Sequence, residues 1–167
     1  MSTAALVSVE EYLQRTEKPN CEYIDGVLYP KATATILHAW IQRVLLRLLE
    51  RQGAQAFPEL TLRLSPTKYL VPDFCVVRQI ELQYPTEPVL LCAEILSPED
   101  RLSAVLAKCK RYHAWGVPYC WVIDPEKRIG LEYHANGEPN RVADTLRAGE
   151  IAASLSELFA QLPPAAK

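Results

Sequence analysis

The sequence of 167 residues has no apolar run of the ~18 residues that a membrane-spanning helix needs. Its opening stretch, MSTAALVSVEEY, lacks the basic segment followed by an apolar stretch that marks a secretory signal. Glycine is scarce, at six residues, and no repeated or low-complexity segment interrupts the chain. With 49% apolar and 23% charged residues, the composition is that of a globular protein, which excludes a disordered or collagen-like chain. We expect no contact with membranes.

The chain has no excess of positive charge, because 18 basic residues face 20 acidic ones and the net charge is −2. A protein that coats nucleic acid regardless of sequence is strongly basic, so this class is excluded. Any contact with phosphate groups must therefore come from a local basic patch. One such patch is segment 101–111, which has no acidic residue and carries Arg101, Lys108, Lys110 and Arg111.

The cysteines are scattered along the chain in no C-x-x-C spacing, so neither a zinc site nor a disulfide framework is indicated. Free buried thiols in a reducing compartment explain them, and we expect a cytoplasmic protein. The five positions are Cys21, Cys75, Cys92, Cys109 and Cys120.

The order of predicted elements indicates an α/β fold in a single domain over residues 1–167. A capping box at Ser8–Glu11 predicts a short helix over residues 9–15, and Asp25-Gly26 predicts the turn of a β-hairpin. A threonine cap and an apolar stripe predict a second helix that ends at Gly53. Further along, the patterns predict strands within 56–64, 69–77 and 89–96, a helix from Ser97 to Gly116, a strand over 119–124, a β extension, and a short helix within 154–162.

From the second helix onward the predicted order is helix, three strands, helix and strand, with a core at about residues 34–124. The segment VLLCAEIL is apolar on both faces, as expected of a strand that is covered on two sides. We therefore expect an αβββαβ sandwich around a mixed central sheet. An N-terminal helix and β-hairpin would precede this core, and the β extension would follow it.

Two acidic residues occupy positions where apolar residues are expected. Glu94 lies inside VLLCAEIL, and a buried carboxylate is costly unless it is paired or bound to metal. Asp73 follows Pro72 at the start of the neighbouring candidate strand. If the strands pair, both carboxylates reach one place on the sheet and, with a backbone carbonyl and waters, form an oxygen-rich site that suits Mg²⁺. Such a metal polarises a phosphoryl oxygen and activates water.

Three segments together resemble the Uma-two family of restriction endonucleases: LVPDFCVVR, AEILSPEDR and KCKRYHAWGVPYCWVIDP. EYIDGVLY and a histidine at the start of the next helix also fit, so the resemblance covers about residues 8–160. The family belongs to the PD-(D/E)xK nuclease-like group, whose core order is αβββαβ. The resemblance implies a restriction-endonuclease-like fold and a nuclease that hydrolyses DNA phosphodiester bonds with Mg²⁺ or Mn²⁺.

By that resemblance, Pro72-Asp73 is the PD motif, and Asp73 and Glu94 hold the metal. The lysine that usually follows two residues after the second acid is absent, because Leu96 stands there. Its role falls to Lys108 on the following helix, which leans toward Glu94. There it would orient the attacking water or neutralise charge on the phosphorus.

The resemblance also implies accessory residues and partners. Glu22 would add a metal contact, His38 would hold a water or a phosphate, and Tyr112 completes a K-x-x-x-Y spacing with Lys108. By analogy, a homodimer would present one site to each strand of a duplex. No organic cofactor is expected. The contacts to the phosphates of DNA, with RNA not excluded, would come from Arg101, Lys110 and Arg111.

Two other interpretations remain open at this point. The absence of a lysine after Glu94 and the negative net charge favour a catalytically inactive module that binds nucleic acid or protein. Glu94 would then form a buried ion pair with Lys108 or Arg101. A cysteine hydrolase is weakly indicated by Cys109 and His113, which lie one helical turn apart and have no orienting partner in the sequence.

Overall fold

The computed structural model describes residues 6–17, 20–160 and 162–163. Its helices are α1 (Val9–Leu13), α2 (Ile36–Glu50), α3 (Leu102–Trp115) and α4 (Leu155–Ala160). Its strands are β1 (Cys21–Ile24), β2 (Val27–Pro30), β3 (Gln55–Pro58), β4 (Leu62–Ser65), β5 (Lys68–Leu70), β6 (Phe74–Val77), β7 (Leu91–Ile95), β8 (Tyr119–Asp124), β9 (Ile129–His134), β10 (Asn140–Arg141), β11 (Thr145–Ala148) and β12 (Ile151–Ser154).

Within the described ranges, the central sheet has six strands in the order β10-β9-β8-β7-β6-β3. Strands β7 and β8 are parallel and the other neighbours are antiparallel, so the sheet is mixed. The elements α2, β3, β6, β7, α3 and β8 confirm the αβββαβ order. A four-stranded sheet, β2-β1-β5-β4, and the hairpin of β11 and β12 complete this part of the chain.

Helices α2 and α3 cover opposite faces of the central sheet. One apolar cluster joins α2 to Phe74 and Ala93, and another joins α3 to Cys75 and Cys92. Since successive residues of a strand point to opposite faces, every residue of β6 and β7 is buried, as the continuous apolar run of the sequence predicts.

Two segments that were each expected to form one strand are instead divided between the two sheets. Residues 56–64 leave the central sheet after β3, where Glu59 takes a left-handed φ of 50°, and continue as β4 in the four-stranded sheet. Residues 69–77 pass from β5 in the four-stranded sheet to β6 in the central sheet, and residues 71–73 form the link. Pro58 and Pro72 stand at these breaks, and proline cannot donate a ladder hydrogen bond. Asp73 is thereby placed where the two sheets meet.

The ends of the helices differ from the sequence pattern in places. Helix α3 begins after Arg101 rather than near Ser97, because Asp100 Oδ2 accepts a hydrogen bond from the Ser97 N–H at 2.8 Å and closes a separate turn. Helix α1 ends at Leu13. Helix α4 ends at Ala160, and Gln161 of the expected helix lies outside the described residues. None of the helices described is long and apolar enough to cross a membrane.

Gly116→Ala is expected to destabilise the protein by about 2 kcal/mol, as measured by urea unfolding. Gly116 ends α3 with a φ of 117°, and an added Cβ would lie 2.9 Å from Pro88 Cγ. The positive φ of the backbone and the close contact with Pro88 would both make a side chain at this position unfavourable. Gly53→Ala is the matched control, since Gly53 has a φ of 77° and nothing within 4 Å of the added Cβ. Equal losses in both variants would show that the contact with Pro88 contributes nothing.

Candidate active site

Antiparallel pairing of β6 and β7 brings the two unusual acidic residues together. Phe74 pairs with Ala93, so the preceding Asp73 comes to the level of Glu94. The Asp73 Oδ2 atom accepts a hydrogen bond from the backbone N–H of Ile95 at 2.8 Å. Both acidic residues are buried, with 6% and 5% of their surface exposed. The strand pattern predicted this convergence, and the structure contains it.

Asp73 is surrounded by basic side chains. Lys31 Nζ donates to its Oδ1 at 2.8 Å, and His38 Nε2 lies 3.2 Å from its Oδ2. Burial opposes the charge of Asp73, but the His38 hydrogen bond and the charges of Lys31 and Lys108 outweigh it. Together they hold the pKa of Asp73 well below its usual range. Asp73 is therefore ionised at neutral pH.

Glu94 is held from α3. Lys108 Nζ lies 3.0 Å from Glu94 Oε1, and the Tyr112 hydroxyl donates to the same oxygen at 2.8 Å. Lys108 also lies 2.7 Å from Glu22 Oε1 and donates to the Val71 carbonyl at 3.0 Å. Burial raises the pKa of Tyr112 well above its usual range, so its hydroxyl keeps the proton that it donates.

The charges of the buried and partly buried side chains in this group do not balance. The carboxylates of Glu22, Asp73 and Glu94 face the ammonium groups of Lys31 and Lys108. Burial raises the pKa of Glu94 to about 7, an effect that Lys108 opposes and Asp73 strengthens. Burial opposes the charge of Lys108, but the nearby carboxylates outweigh it and hold the lysine pKa above its usual range. The site therefore carries excess negative charge when Glu94 is ionised.

These side chains line an open cleft of about 280 Å³. Helix α3 forms part of its lining through Ala104, Lys108 and Arg111, and the β2 end contributes Tyr29. Of the three residues expected to contact phosphate, Arg111 lines the cleft. Arg101, just before α3, and Lys110, on α3, are exposed and are not among the described residues that line the cleft.

His38 has one ring nitrogen without a partner. The Thr35 hydroxyl caps α2 by accepting from the His38 backbone N–H at 3.1 Å, which places His38 in the first turn. His38 Nε2 contacts Asp73, whereas the buried Nδ1 atom has no hydrogen-bond partner among the described residues. A buried water would satisfy this nitrogen.

The residues at the site fit a hard divalent cation. Across the described part of the chain, no group of three or more His, Cys, Asp and Glu side chains is arranged to hold a metal. Asp73 and Glu94 nevertheless offer carboxylate oxygens, and Mg²⁺ binds through one or two carboxylates while it keeps several waters. Burial raises the pKa of Glu94, and a bound cation would offset the cost of ionising this buried carboxylate.

Sequence reasoning brought six of these side chains to one site but missed Lys31. Those six are Glu22, His38, Asp73, Glu94, Lys108 and Tyr112. A signal for Lys31 was present, because the turn at Asp25-Gly26 pairs Glu22 with Tyr29. Lys31 lies two residues beyond Tyr29 and therefore on the same face of the hairpin as Glu22.

The cysteine-hydrolase interpretation has no structural support. Cys109 is fully buried, with 0% of its surface exposed. The His113 Nδ1 atom lies 2.8 Å from the carbonyl oxygen of Val117, so the ring is not directed to the Cys109 thiol. The buried thiols of Cys75, Cys92, Cys109 and Cys120 are free.

The sequence and the fold of this chain are both similar to those of known proteins. The sequence matches the model of a family described as "Uma2: Putative restriction endonuclease" over residues 9–162. A solved structure from Anabaena variabilis ATCC 29413, described as "a putative nuclease belonging to DUF820", is similar with a TM-score of 0.74. The two sequences are 24% identical over 92% of this chain and 98% of that chain, which shows the shared fold.

Two other comparisons give no support to the family match or to the fold. A chain of the DrdV–DNA complex, solved by cryo-electron microscopy, aligns with a TM-score of 0.34 and 15% identity, over 77% of this chain and 14% of that one. A score this low supports no argument. No curated protein matches the sequence.

Stability should fall as the pH rises from about 4.5 to about 7, because Glu94 keeps a proton in the folded state that the unfolded state has released. Glu94→Gln removes this part of the pH dependence, which is on the order of 3 kcal/mol. Urea unfolding across this pH range measures it. The exposed change Glu99→Gln should keep the slope of the parent protein. A slope that is the same in Glu94→Gln and the parent would contradict the assignment.

Proposed function

This chain belongs to the Uma2 family, and we propose that it is a metal-dependent nuclease that hydrolyses DNA phosphodiester bonds. The observation that carries the proposal is the pair Asp73 and Glu94, which lie together in an open cleft and are contacted by Lys31 and Lys108. A purely structural ion pair needs neither an open cleft nor a third carboxylate.

Asp73 and Glu94 would hold Mg²⁺ or Mn²⁺. The carboxylate of Glu22 forms an ion pair with Lys108 and so adds to the negative charge that surrounds this ammonium group. When bound, the metal supplies a Lewis acid that polarises a phosphoryl oxygen and lowers the pKa of water. Asp73 is suited to this task because it stays ionised, with its orientation fixed by the Ile95 N–H.

Lys108 takes the part of the lysine that is missing at Leu96. Its ammonium group lies between Glu22 and Glu94 at the cleft, and the surrounding carboxylates keep it charged. A fixed positive charge at this place would orient the attacking water and stabilise charge that develops on the phosphate. The buried Nδ1 of His38 would accept a hydrogen bond from an internal water.

The phosphate backbone would run along α3. Arg111 lines the cleft, Lys110 is exposed on the same helix, and Arg101 is exposed just before it. Because the whole chain carries a net charge of −2, this patch is local and binding should weaken steeply with salt. A homodimer would present one such site to each strand of a duplex.

One observation favours a second function, a catalytically inactive module that binds nucleic acid or protein. Both carboxylates already contact ammonium groups, Asp73 with Lys31 and Glu94 with Lys108. Such paired charges are stable without a metal when their hydrogen bonds are complete. DNA binding without cleavage would identify this function.

Cleavage of supercoiled plasmid in the presence of Mn²⁺ tests the proposed function directly. Asp73→Asn, Glu94→Gln and Lys108→Met should each lower the nicking rate by about 100-fold or more, since each removes a charge from the reacting centre. Lys127→Met is the matched control, because the Lys127 side chain is 76% exposed, and it should keep full activity. Equal nicking by all variants would place the activity elsewhere. No nicking with DNA binding intact would favour the inactive module.

Calorimetric titration with Mn²⁺ separates metal binding from chemistry. The wild-type protein should bind Mn²⁺, and Asp73→Asn should abolish the heat. Lys31→Met should bind several-fold more tightly, because the Lys31 ammonium group competes with a cation for Asp73 Oδ1 at 2.8 Å. Weaker binding by Lys31→Met, or unchanged heat in Asp73→Asn, would exclude Asp73 as a ligand.

A further inference from the structure

A second cavity, of about 350 Å³, adjoins the candidate active site. It lies between the C-terminal half of α3 and the four-stranded sheet, where Leu64, Leu70 and Trp115 give it an apolar lining. Ile24 and Arg111 line both this cavity and the active-site cleft, so the two spaces are neighbours. We call the second space the side cavity.

One face of α3 connects the two spaces. Ala104, Lys108, Arg111 and Trp115 follow one another at spacings of four, three and four residues, which places them on one face of the helix. With a rise of about 1.5 Å per residue, Arg111 lies about 4.5 Å and Trp115 about 10 Å beyond Lys108 along the helix axis. A strand whose phosphate reaches Lys108 therefore meets the side cavity within a short distance.

The charge of the side cavity suits a phosphate group. Its charged lining residues are Lys68 and Arg111, and no carboxylate belongs to its described lining. Lys68 Nζ lies 3.8 Å from Asp25 Oδ2 in an exposed pair, with side chains 47% and 59% exposed. Such an exposed pair is weak and yields readily to another anion. Arg111 forms no ion pair within the described residues.

We propose that the side cavity binds one unpaired nucleotide of the DNA strand that is cut, next to the reacting phosphate. The Trp115 ring and the apolar lining would take the base, and Lys68 and Arg111 would take a phosphate. A base within a duplex is stacked and paired, so only a base in a single strand, or one turned out of a duplex, can enter. This inference rests on the proposed function and narrows its substrate to DNA with an unpaired nucleotide.

Fluorescence anisotropy in EDTA measures binding without cleavage, with three labelled DNAs as probes: a single-stranded 12-mer, a blunt duplex, and the same duplex with a single-stranded extension. The wild-type protein should bind the single strand and the extended duplex more tightly than the blunt duplex. Tight binding of the blunt duplex that still depends on Trp115 would identify a base turned out of the helix as the source.

Trp115→Leu should weaken binding of the single strand by about tenfold, whereas Trp115→Tyr, which keeps an aromatic face, should stay near wild type. Since Trp115→Tyr keeps an aromatic ring but not the size of the indole, it separates the loss of stacking on the base from the loss of packing within the protein. Lys68→Gln should weaken binding and lower the slope of log Kd against log salt by about one. The control is Arg51→Gln, which should change little, because Arg51 follows α2 on the other side of the sheet and its side chain is 70% exposed.

Affinities that are equal in wild type, Trp115→Leu and Lys68→Gln would overturn the side-cavity proposal, as would a wild-type protein that binds none of the three DNAs. Plasmid cleavage with Mn²⁺ is scored separately. Cleavage with no dependence of binding on Trp115 keeps the nuclease function and refutes the subsite. Binding that depends on Trp115 without cleavage keeps the subsite and refutes the nuclease function.

Discussion

Charge compensation at the junction of the two sheets holds the candidate site together. Asp73 and Glu94 are buried, and a buried carboxylate without partners would cost several kcal/mol. Their partners come from different elements, because Lys31 follows β2, His38 lies on α2, and Lys108 lies on α3. The same contacts therefore fix the hairpin and both helices against the central sheet, and the loss of one partner leaves a buried charge uncompensated.

This arrangement conflicts with the rule that cores are apolar, and such conflicts concentrate at functional sites. The conflict is only partly resolved by the protein itself, since three carboxylates face two ammonium groups and the pKa of Glu94 is raised to about 7. A cleft of about 280 Å³ gives solvent and ligands access to these charged side chains. The geometry is thus suited to a cation and to a phosphate that carries charge of its own.

Much of the site could be predicted from sequence because its signals are local. An acid inside the apolar run of β7 indicates Glu94, and the resemblance to the family, through Pro72-Asp73, indicates Asp73. Helix phase and the family pattern together favour Lys108. The division of residues 56–64 and 69–77 between two sheets was missed, although Pro58 and Pro72 stand at the breaks. The sheet that each half joins depends on contacts that are distant in sequence. Lys31 was missed because it belongs to no motif, and only the register of the β1–β2 hairpin shows that it lies on the same face as Glu22.

The most direct test of the account is a crystal structure of the protein soaked in Mn²⁺, with anomalous scattering used to locate the metal. We expect one peak within coordination distance of carboxylate oxygens of both Asp73 and Glu94, with the Lys31 ammonium group moved away from Asp73. A map without a peak there, in which Lys31 and Lys108 still contact the two carboxylates, would contradict a metal-dependent site and leave a structural network of ion pairs.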